Sequence, residues 1–256
     1  MILFNEIIFG PVKSRRLGIS LGINLLPTHA KICSFDCIYC ECGFNLRIKD
    51  AQLPSRKDVY RALETKLQEM IADALLPDNI TFAGNGEPTM HKEFLPIIED
   101  TLFLRDKYCP KAKVSVLSNS AHMHKPYIFK ALTMVDNNIL KFDSAIDETV
   151  SRLNRPISKT FNTQWQIEHF KKFEGKLIIQ TMFLRGDLQD GIIDNTTEEE
   201  ISAWLEALKI IQPQQVMIYT FERETPTAGL EKVGLDELNQ IAARVSDLGI
   251  AVSVSD

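Results

Sequence analysis

Short apolar segments recur along the chain, and each is flanked by residues that interrupt regular structure. The segments are rich in β-branched residues, and Gly, Asn, Asp or Pro borders them. This pattern predicts buried β-strands. Seven strands are predicted in this way, over residues 19–25, 80–83, 114–118, 139–142, 177–183, 216–220 and 250–254.

The stretches between these strands have helical periodicity. In residues 55–75, Ser55 and Asp58 have the spacing of a capping box, and apolar residues follow on one face. That face is predicted to contain Val59, Leu63, Leu67, Met70, Ile71 and Ala74. The same reasoning predicts helices over residues 94–107, 126–132, 163–173, 197–210 and 236–248.

Apolar strands that alternate with amphipathic helices are typical of a parallel sheet covered by helices. Six or seven such units indicate an α/β fold built as a full or partial barrel. Functional sites in such folds gather at the carboxyl ends of the strands. Residues that follow each predicted strand are therefore the first candidates for a site.

Composition narrows the class of protein. The 256 residues carry a formal net charge of −5, and a quarter of them are charged, which does not indicate a general nucleic-acid binder. No apolar run is long enough to cross a bilayer. The N-terminal residues are apolar, but they carry Glu6 and lack a basic region, so no signal peptide is expected. We predict a cytoplasmic protein with no membrane partner.

Four of the five cysteines, Cys33, Cys37, Cys40 and Cys42, lie within ten residues. Such bunching favours metal or redox chemistry over a disulfide framework. The first three have the spacing CxxxCxxC, and three thiolates would leave one coordination position of a metal centre open. A closed zinc site or a ferredoxin cluster uses four protein ligands, so a structural zinc site that includes Cys42 is the alternative. Cys109 stands alone and is interpreted as a structural thiol.

A second motif, GNGEPT at residues 84–89, follows the predicted strand over residues 80–83. By themselves its glycines would indicate only a tight turn. The motif lies at the end of the strand next to the cysteine loop, however, and this placement favours a cofactor-binding loop.

The CxxxCxxC spacing with Tyr39 before its third cysteine, together with GNGEPT, resembles the signature of the radical S-adenosylmethionine superfamily. The segments GPVKSRRLGISLGINLLP, KFDSAID, RLNRPIS, QTMFLRG and YTFERETPT extend the resemblance over nearly the whole chain. They are similar to a branch related to wyosine-type tRNA synthases and to uncharacterised Fe–S oxidoreductases.

The resemblance implies a fold and a domain organisation. We expect a partial (β/α)6-type TIM barrel of parallel strands with a short N-terminal extension. Residues 1–256 would form a single radical S-adenosylmethionine domain. Its parts would be the extension at 1–18, the barrel core at 19–220, and a C-terminal helix and strand at 221–256.

The resemblance also implies the chemistry of the cysteine loop. Cys33, Cys37 and Cys40 would bind three irons of a [4Fe–4S] cluster, and S-adenosylmethionine would chelate the fourth. Reduction of the sulfonium would give methionine and a 5′-deoxyadenosyl radical, which abstracts a substrate hydrogen. Cys42 would be a fourth ligand, a substrate-facing thiol or a bystander, and we favour the bystander.

Residues of the S-adenosylmethionine site follow from the same resemblance. The backbone of the glycine loop would face the methionine moiety, with Glu87 bracing the loop and Pro88 fixing its geometry. Polar residues at later strand ends would surround the nucleotide, although each alone is more often a cap or turn residue. The expected cofactor-binding set is Tyr39, Gly84, Asn85, Gly86, Glu87, Pro88, Ser118, Asn119, Asp143 and Gln180.

Basic residues outside that set are candidates for substrate binding. Arginine suits phosphate or carboxylate recognition, and the alternative is a salt bridge that holds a loop over the barrel mouth. The candidates are Ser14, Arg15, Arg16, Arg155 and Arg223. These candidates lead to the hypothesis that the substrate is anionic.

Several functions remain open from the sequence. The resemblance implies an oxidoreductase that needs an external electron donor. The resemblance to wyosine-type enzymes also suggests tRNA as the substrate. The acidic net charge of the chain argues against tRNA. One alternative is an activating enzyme that forms a glycyl radical on a partner protein. The other alternative is a non-enzymatic binding protein whose fold is stabilised by a structural zinc ion.

Overall fold

A computed structural model describes residues 2–14, 17–46 and 51–255. Eight strands form one curved sheet in the order β1-β2-β3-β4-β5-β6-β9-β11, and a second sheet has the order β10-β7-β8. The strands are β1 (Ile8–Ser14), β2 (Gly18–Ile23), β3 (Asn79–Phe82), β4 (Lys113–Ser118), β5 (Asn137–Lys141), β6 (Ile178–Met182), β7 (Leu184–Leu188), β8 (Gly191–Asp194), β9 (Gln215–Tyr219), β10 (Leu230–Lys232) and β11 (Ala251–Ser255).

The large sheet is an open half barrel. From β2 to β11 all neighbouring strands are parallel, and only β1 pairs in the antiparallel sense, with β2. The predicted partial barrel is therefore confirmed, and each of the seven predicted strands is found to within two residues at either end. The parallel order brings the carboxyl ends of β2, β3, β4, β5, β6 and β9 to one edge of the sheet, where the site is expected.

Helices connect the strands and cover the outer face of the sheet. They are α1 (Arg56–Ala72), α2 (Phe94–Tyr108), α3 (Pro126–Met134), α4 (Asp147–Leu153), α5 (Thr163–Phe170), α6 (Glu198–Ile211) and α7 (Leu235–Ser246). In α1 the Ser55 hydroxyl accepts the Asp58 amide as predicted. The prediction that Ile71 and Ala74 share the buried face of α1 is wrong, because both are exposed at its C-terminal end, where the helix stops at Ala72.

Alternation along the strands separates an outer core from a small inner one. Ile139 of β5, Ile178 of β6 and Met217 of β9 point into the barrel and pack with Leu17 and Leu117. Their chain neighbours belong to the larger core beneath the helices. Ile139 and Met217 are the central residues of β5 and β9, and Ile178 begins β6, so the inner cluster fills the barrel interior before the carboxyl ends of these strands are reached.

Elements without a clear apolar pattern were missed. Strand β1 lies in the predicted N-terminal extension and contains Pro11, which an edge strand tolerates because its missing N–H is not needed there. Strands β7 and β8 form a hairpin with the two-residue turn Gln189 and Asp190, after which Gly191 begins β8 with a positive φ. In the described part of the chain no helix is long and apolar enough to cross a membrane.

Candidate active site

The cysteine loop follows β2 and is held in shape by Asn45. The Asn45 side-chain oxygen accepts the Cys33 amide at 2.8 Å, and its amide nitrogen donates to the carbonyl of Phe35 at 2.9 Å. The ammonium group of Lys31 donates to the carbonyl of Gly43 at 2.8 Å, and Lys31 is only 2% exposed. A buried cation and a side-chain amide thus fix a loop that has little regular structure of its own.

N–H donors point at the sulfur atoms of this loop. The Phe35 amide lies 3.5 Å from Cys33 Sγ, and the Asn119 side-chain nitrogen lies 3.4 Å from the same atom. Asn154 places its side-chain nitrogen 3.5 Å from Cys37 Sγ. Hydrogen bonds of this kind stabilise negative charge on sulfur, and they are one of the means by which proteins tune metal–thiolate centres.

Lys31 supplies positive charge to the same thiols. Burial alone would lower its pKa, but the negative charges of Cys40, Cys33 and Cys37 outweigh burial and raise the pKa of Lys31. The lysine therefore stays charged beside the cysteines, although burial raises the pKa of Cys33 and Cys37. This pairing is expected for cysteines that act as metal ligands, which bind as thiolates.

The arrangement fits an iron–sulfur cluster better than a single ion. Among the described residues no three Cys, His, Asp or Glu side chains are placed to hold one metal ion. Zinc at about 2.3 Å from each sulfur would need the thiols tightly converged. A [4Fe–4S] cube binds each thiolate through a different iron, and its ligands stand further apart. Three thiols on one braced loop, with N–H donors on their sulfurs, suit that group.

Cys42 faces a different neighbour. Its thiol donates to the carbonyl of Gly84 at 3.5 Å, in the glycine loop after β3. Hydrogen bonding between Cys40 and Cys42 lowers the pKa of Cys40 and raises the pKa of Cys42. Cys42 thus contacts both the third cysteine and the glycine loop, and its role as a bystander stays a prediction.

The glycine loop pairs directly with the chain that leads into Cys33. Ile32 forms a parallel bridge to Gly86, donates to the carbonyl of Asn85 at 2.9 Å and accepts the Glu87 amide at 3.2 Å. Gly84 and Gly86 have φ angles of +131° and +133°, and a Cβ on Gly86 would lie 1.8 Å from the Ile32 carbonyl oxygen. Glycine is required here because only a residue without Cβ allows this conformation and this approach.

Asn85 and Glu87 use their side chains inside the protein. Asn85 is fully buried, donates to the carbonyls of Phe4 and Pro27 at 2.8 Å each, and accepts the Phe4 amide at 2.8 Å. It therefore ties the N-terminal segment to the glycine loop. Pro88 begins a short 3-10 turn directly after Glu87.

Glu87 links the glycine loop to the end of β4. One carboxylate oxygen accepts the Ser118 hydroxyl at 2.8 Å and the Thr89 amide at 3.1 Å, and the other accepts the Asn119 amide at 2.6 Å. These contacts join the glycine loop to β4, and the bracing role of Glu87 in cofactor binding stays a prediction. They also explain why Asn119 is aimed at Cys33, since its backbone is anchored by this carboxylate.

Burial raises the pKa of Glu87 in spite of these hydrogen bonds. The native state then holds this proton more tightly than the unfolded chain, so stability should fall as pH rises above the ordinary glutamate range. We expect the stability of the wild type relative to Glu87→Gln to decline from about pH 5 upward, by at most about 1.4 kcal/mol per pH unit. Denaturant unfolding measured across pH checks this.

The exposed Glu99 on α2 gives the matched control. Glu99→Gln should leave the pH profile of unfolding parallel to that of the wild type. Parallel profiles for Glu87→Gln as well would show that this carboxyl group has an ordinary pKa in the folded protein.

Tyr39 and Asp143 are joined in a buried network. The Tyr39 hydroxyl donates to Asp143, Asn154 donates to the same carboxylate at 2.7 Å, and the Lys141 ammonium donates to the Tyr39 hydroxyl at 2.5 Å. The other Asp143 oxygen accepts the Met182 amide at 2.9 Å. Burial raises the pKa of Tyr39, so the phenol stays protonated. The network fixes the loop around its third cysteine to the ends of β5 and β6.

The remaining strand-end candidate, Gln180, donates to the Tyr219 hydroxyl at 2.6 Å across β6 and β9. Tyr219 lines an internal cavity of about 420 Å³ that opens beside Cys40. Gln180 therefore supports the cavity wall through Tyr219. The cavity is lined mainly by Phe4, Phe9, Lys13, Ser14, Tyr39, Cys40, Met182, Tyr219, Phe221 and Arg223.

The structure separates the substrate candidates. Ser14 and Arg223 both line this cavity, and Arg223 forms an ion pair of 3.0 Å with Glu41. Arg155 lies elsewhere, with its guanidinium 5.6 Å from the centre of the Phe44 ring. Arg15 and Arg16 lie outside the described residues, so the prediction for them is not examined by the structure.

Three residues that shape the site were not identified from sequence: Lys31, Asn45 and Asn154. Lys31 and Asn45 flank the cysteine motif and have no distinctive spacing. Asn154 lies in RLNRPIS, a segment in which only the arginines were considered. Lys31 and Asn45 contact residues within 12 positions of themselves, whereas Asn154 reaches Cys37 from 117 positions away.

Comparison with known proteins identifies relatives of the whole chain. A UPF0026 protein of Synechocystis is 30% identical over 86% of this chain and 77% of its own length. No protein-family model matches. Among solved structures, a radical S-adenosylmethionine methyltransferase from Sphaerobacter thermophilus superposes with a TM-score of 0.69 and 14% identity, over 92% of this chain and 65% of the methyltransferase.

TYW1, in a structure with a lysine–pyruvate adduct bound, superposes with a TM-score of 0.61 and 14% identity over 89% of this chain and 73% of that protein. At this identity the superpositions establish the fold, and it is the fold of radical S-adenosylmethionine enzymes, as the cysteine and glycine motifs predicted. With this fold, and with a relative of 30% identity that matches over most of both sequences, the chain belongs to the UPF0026 family.

Proposed function

We propose that this protein is a radical S-adenosylmethionine enzyme whose [4Fe–4S] cluster is bound by Cys33, Cys37 and Cys40. The observation that carries the proposal is the pairing of Ile32 with Gly86. This pairing joins the three-cysteine loop to the glycine loop at the carboxyl edge of the sheet. The shared fold supports the same conclusion.

When bound, the cluster supplies the electron that cleaves S-adenosylmethionine and so generates the radical that removes a hydrogen atom from the substrate. Other side chains of the protein would stabilise the three cysteines as thiolate ligands of the cluster. Lys31 keeps a positive charge near the thiolates, while Asn119 and Asn154 donate to the sulfurs of Cys33 and Cys37. Positive charge and hydrogen bonds to sulfur favour the reduced form of such a centre.

The proposed cofactor-binding residues fall into two groups. Asn85, Glu87 and Ser118 have side chains engaged within the protein, so we assign the glycine loop to binding through its backbone and Glu87 to positioning. Tyr39 and Asp143 hold each other and position the cysteine loop. Asn119 belongs with the first group, because its side chain bonds to Ser34, to the Ala121 amide and to Cys33 Sγ, so we assign it to positioning the end of β4 beside the cysteine loop.

Anaerobic reconstitution with iron and sulfide tests the proposal. We expect a brown protein with about four irons per chain that converts S-adenosylmethionine to methionine and 5′-deoxyadenosine when dithionite is added. Chromatography of the products and iron analysis measure both. A colourless protein with one tightly bound zinc, and no cleavage, would overturn the proposal.

The cavity beside Cys40 supports tRNA as the substrate class. Phe4 and Phe9 stack with ring centres 3.8 Å apart, and Lys13 lines the same cavity. Arg223, Glu41 and Glu222 line it as well, and Arg223 is paired with Glu41, so the aromatic faces and Lys13 are the features that suit an unstacked nucleotide. The resemblance of the sequence motifs to wyosine-type tRNA synthases supports the same choice.

Binding to bulk tRNA at two salt concentrations tests the substrate class. We expect binding that weakens as salt rises, because phosphate contacts release counterions. Lys13→Glu should weaken it several-fold, whereas Lys57→Glu, an exposed lysine of α1, should not. Binding that ignores both salt and Lys13, together with co-purification of one large enzyme, would instead indicate a protein substrate activated by glycyl-radical formation.

A further inference from the structure

We propose that a groove on the outer side of the cysteine loop is where an acidic electron-donor protein docks to reduce the cluster. We name it the donor groove, and it rests on the function proposed above. It encloses about 510 Å³. Its lining residues include Ser34, Phe35, His122, His124, Lys125, Phe161 and Trp165.

The donor groove and the substrate cavity lie on different sides of the cysteine loop. Ser34 and Phe35, which line the groove, stand between Cys33 and Cys37 in the chain, whereas Tyr39 and Cys40 line the cavity. The two spaces have no lining residue in common. A partner in the groove would therefore reach the cysteine loop while a substrate occupies the cavity.

A row of aromatic side chains leads from the groove to the cysteines. The Phe35 amide lies 3.5 Å from Cys33 Sγ, and the Phe35 ring packs edge-on against Phe161 with ring centres 5.0 Å apart. Phe161 in turn lies 5.5 Å from Trp165, and Trp165 lies 4.2 Å from His169. Phe161 and Trp165 are half-buried, so they connect the buried Phe35 with the surface. Electron transfer weakens steeply with distance, and this packing makes the groove a short approach to the thiolates.

The charge around the groove favours an acidic partner. None of the lining residues is Asp or Glu, and Lys125 lies in the wall. Exposed Arg155 and Lys159 belong to the segment that forms the opposite side. In the described ranges none of these three cations has an ion-pair partner, although the whole chain has a net charge of −5. Unpaired cations on an acidic protein steer an oppositely charged partner to one face.

An electron donor explains the groove better than RNA does. Cations beside half-buried aromatic rings would suit either partner, but only electron transfer makes use of the packed route from Trp165 through Phe161 and Phe35 to Cys33. A reduced flavoprotein of the flavodoxin class has the required chemistry. Its flavin loses one electron and the oxidised cluster gains one, with no bond formed or broken and no proton required.

Reduced flavodoxin, an acidic flavoprotein, is the probe for the test. Binding is measured by calorimetry under anaerobic conditions. We expect Lys125→Glu combined with Lys159→Glu to weaken flavodoxin binding at low salt by at least about tenfold. The exposed Lys111→Glu, in the turn before β4, should bind as the wild type does.

Turnover separates this inference from the proposed function. The ratio of S-adenosylmethionine cleavage driven by flavodoxin to cleavage driven by dithionite should fall in the double variant and stay constant in Lys111→Glu. Cleavage with dithionite but equal flavodoxin binding by all three proteins would overturn the donor groove alone. Competition for the groove by tRNA, with no binding of flavodoxin, would assign it to RNA. Absence of cleavage with dithionite would overturn the proposed function instead.

Discussion

Replacement of Cys37 by serine is expected to leave the reconstituted protein without its iron–sulfur cluster. Serine is a poor ligand for iron in such centres, and the structure offers no nearby substitute, because Cys42 donates to Gly84 and lies on the far side of Cys40 in the sequence. Iron content should fall from about four per chain to a small residue, and S-adenosylmethionine cleavage should be lost. Iron analysis and visible absorption measure the first effect independently of activity.

Cys109 provides the matched control for this substitution. It is a buried free thiol at the C-terminal end of α2, packed in the outer core away from the cysteine loop. Cys109→Ser should cost stability, by roughly 1–3 kcal/mol for a hydroxyl placed in an apolar setting, and keep the iron. Equal iron contents in both variants would show that Cys37 is not a ligand.

The strands and helices were largely predictable because their burial leaves a local pattern. Strands such as β3 and β6 are buried along their whole length, and most of their residues are apolar or β-branched, so each leaves a recognisable segment in the sequence. Strand β1 leaves no such segment, and it has a bulge between Phe9 and Val12. Strand β11 also lies at an edge and was predicted, because its sequence AVSVS keeps a local apolar alternation. The local pattern, and not the position in the sheet, therefore decides which strands can be predicted.

The chemistry of the site was predictable only where the residues concerned lie close together in the sequence. The cysteine spacing and GNGEPT are local motifs, and both are found together at the expected edge of the sheet. Asn154 contacts the sulfur of Cys37 from 117 positions away, and Asn119 reaches Cys33 across 86. No spacing rule relates such residues, because only the packing of separate strands brings them together. The donor groove was missed for the same reason.

Replacement of Gly86 by alanine is expected to separate the cysteine loop from the glycine loop. A Cβ at this position would stand 1.8 Å from the Ile32 carbonyl oxygen, and the φ of +133° is one that residues with a Cβ rarely adopt. Backbone atoms cannot move aside as a flexible side chain can, so the bridge between Ile32 and Gly86 must open. We expect a loss of about 3 kcal/mol or more in the free energy of unfolding.

Gly249→Ala isolates the cost of backbone conformation from the cost of the clash. Gly249 also has a positive φ, +77°, but nothing lies within 4 Å of the position of its added Cβ. This control should lose only about 1–2 kcal/mol, the cost of a left-handed conformation for an L-residue. Because Glu87 follows Gly86 directly and anchors Asn119, the Gly86 variant should also lose most S-adenosylmethionine binding, measured by calorimetry on the reconstituted protein. If both variants bind S-adenosylmethionine equally well, the pairing of the two loops does not build the cofactor site.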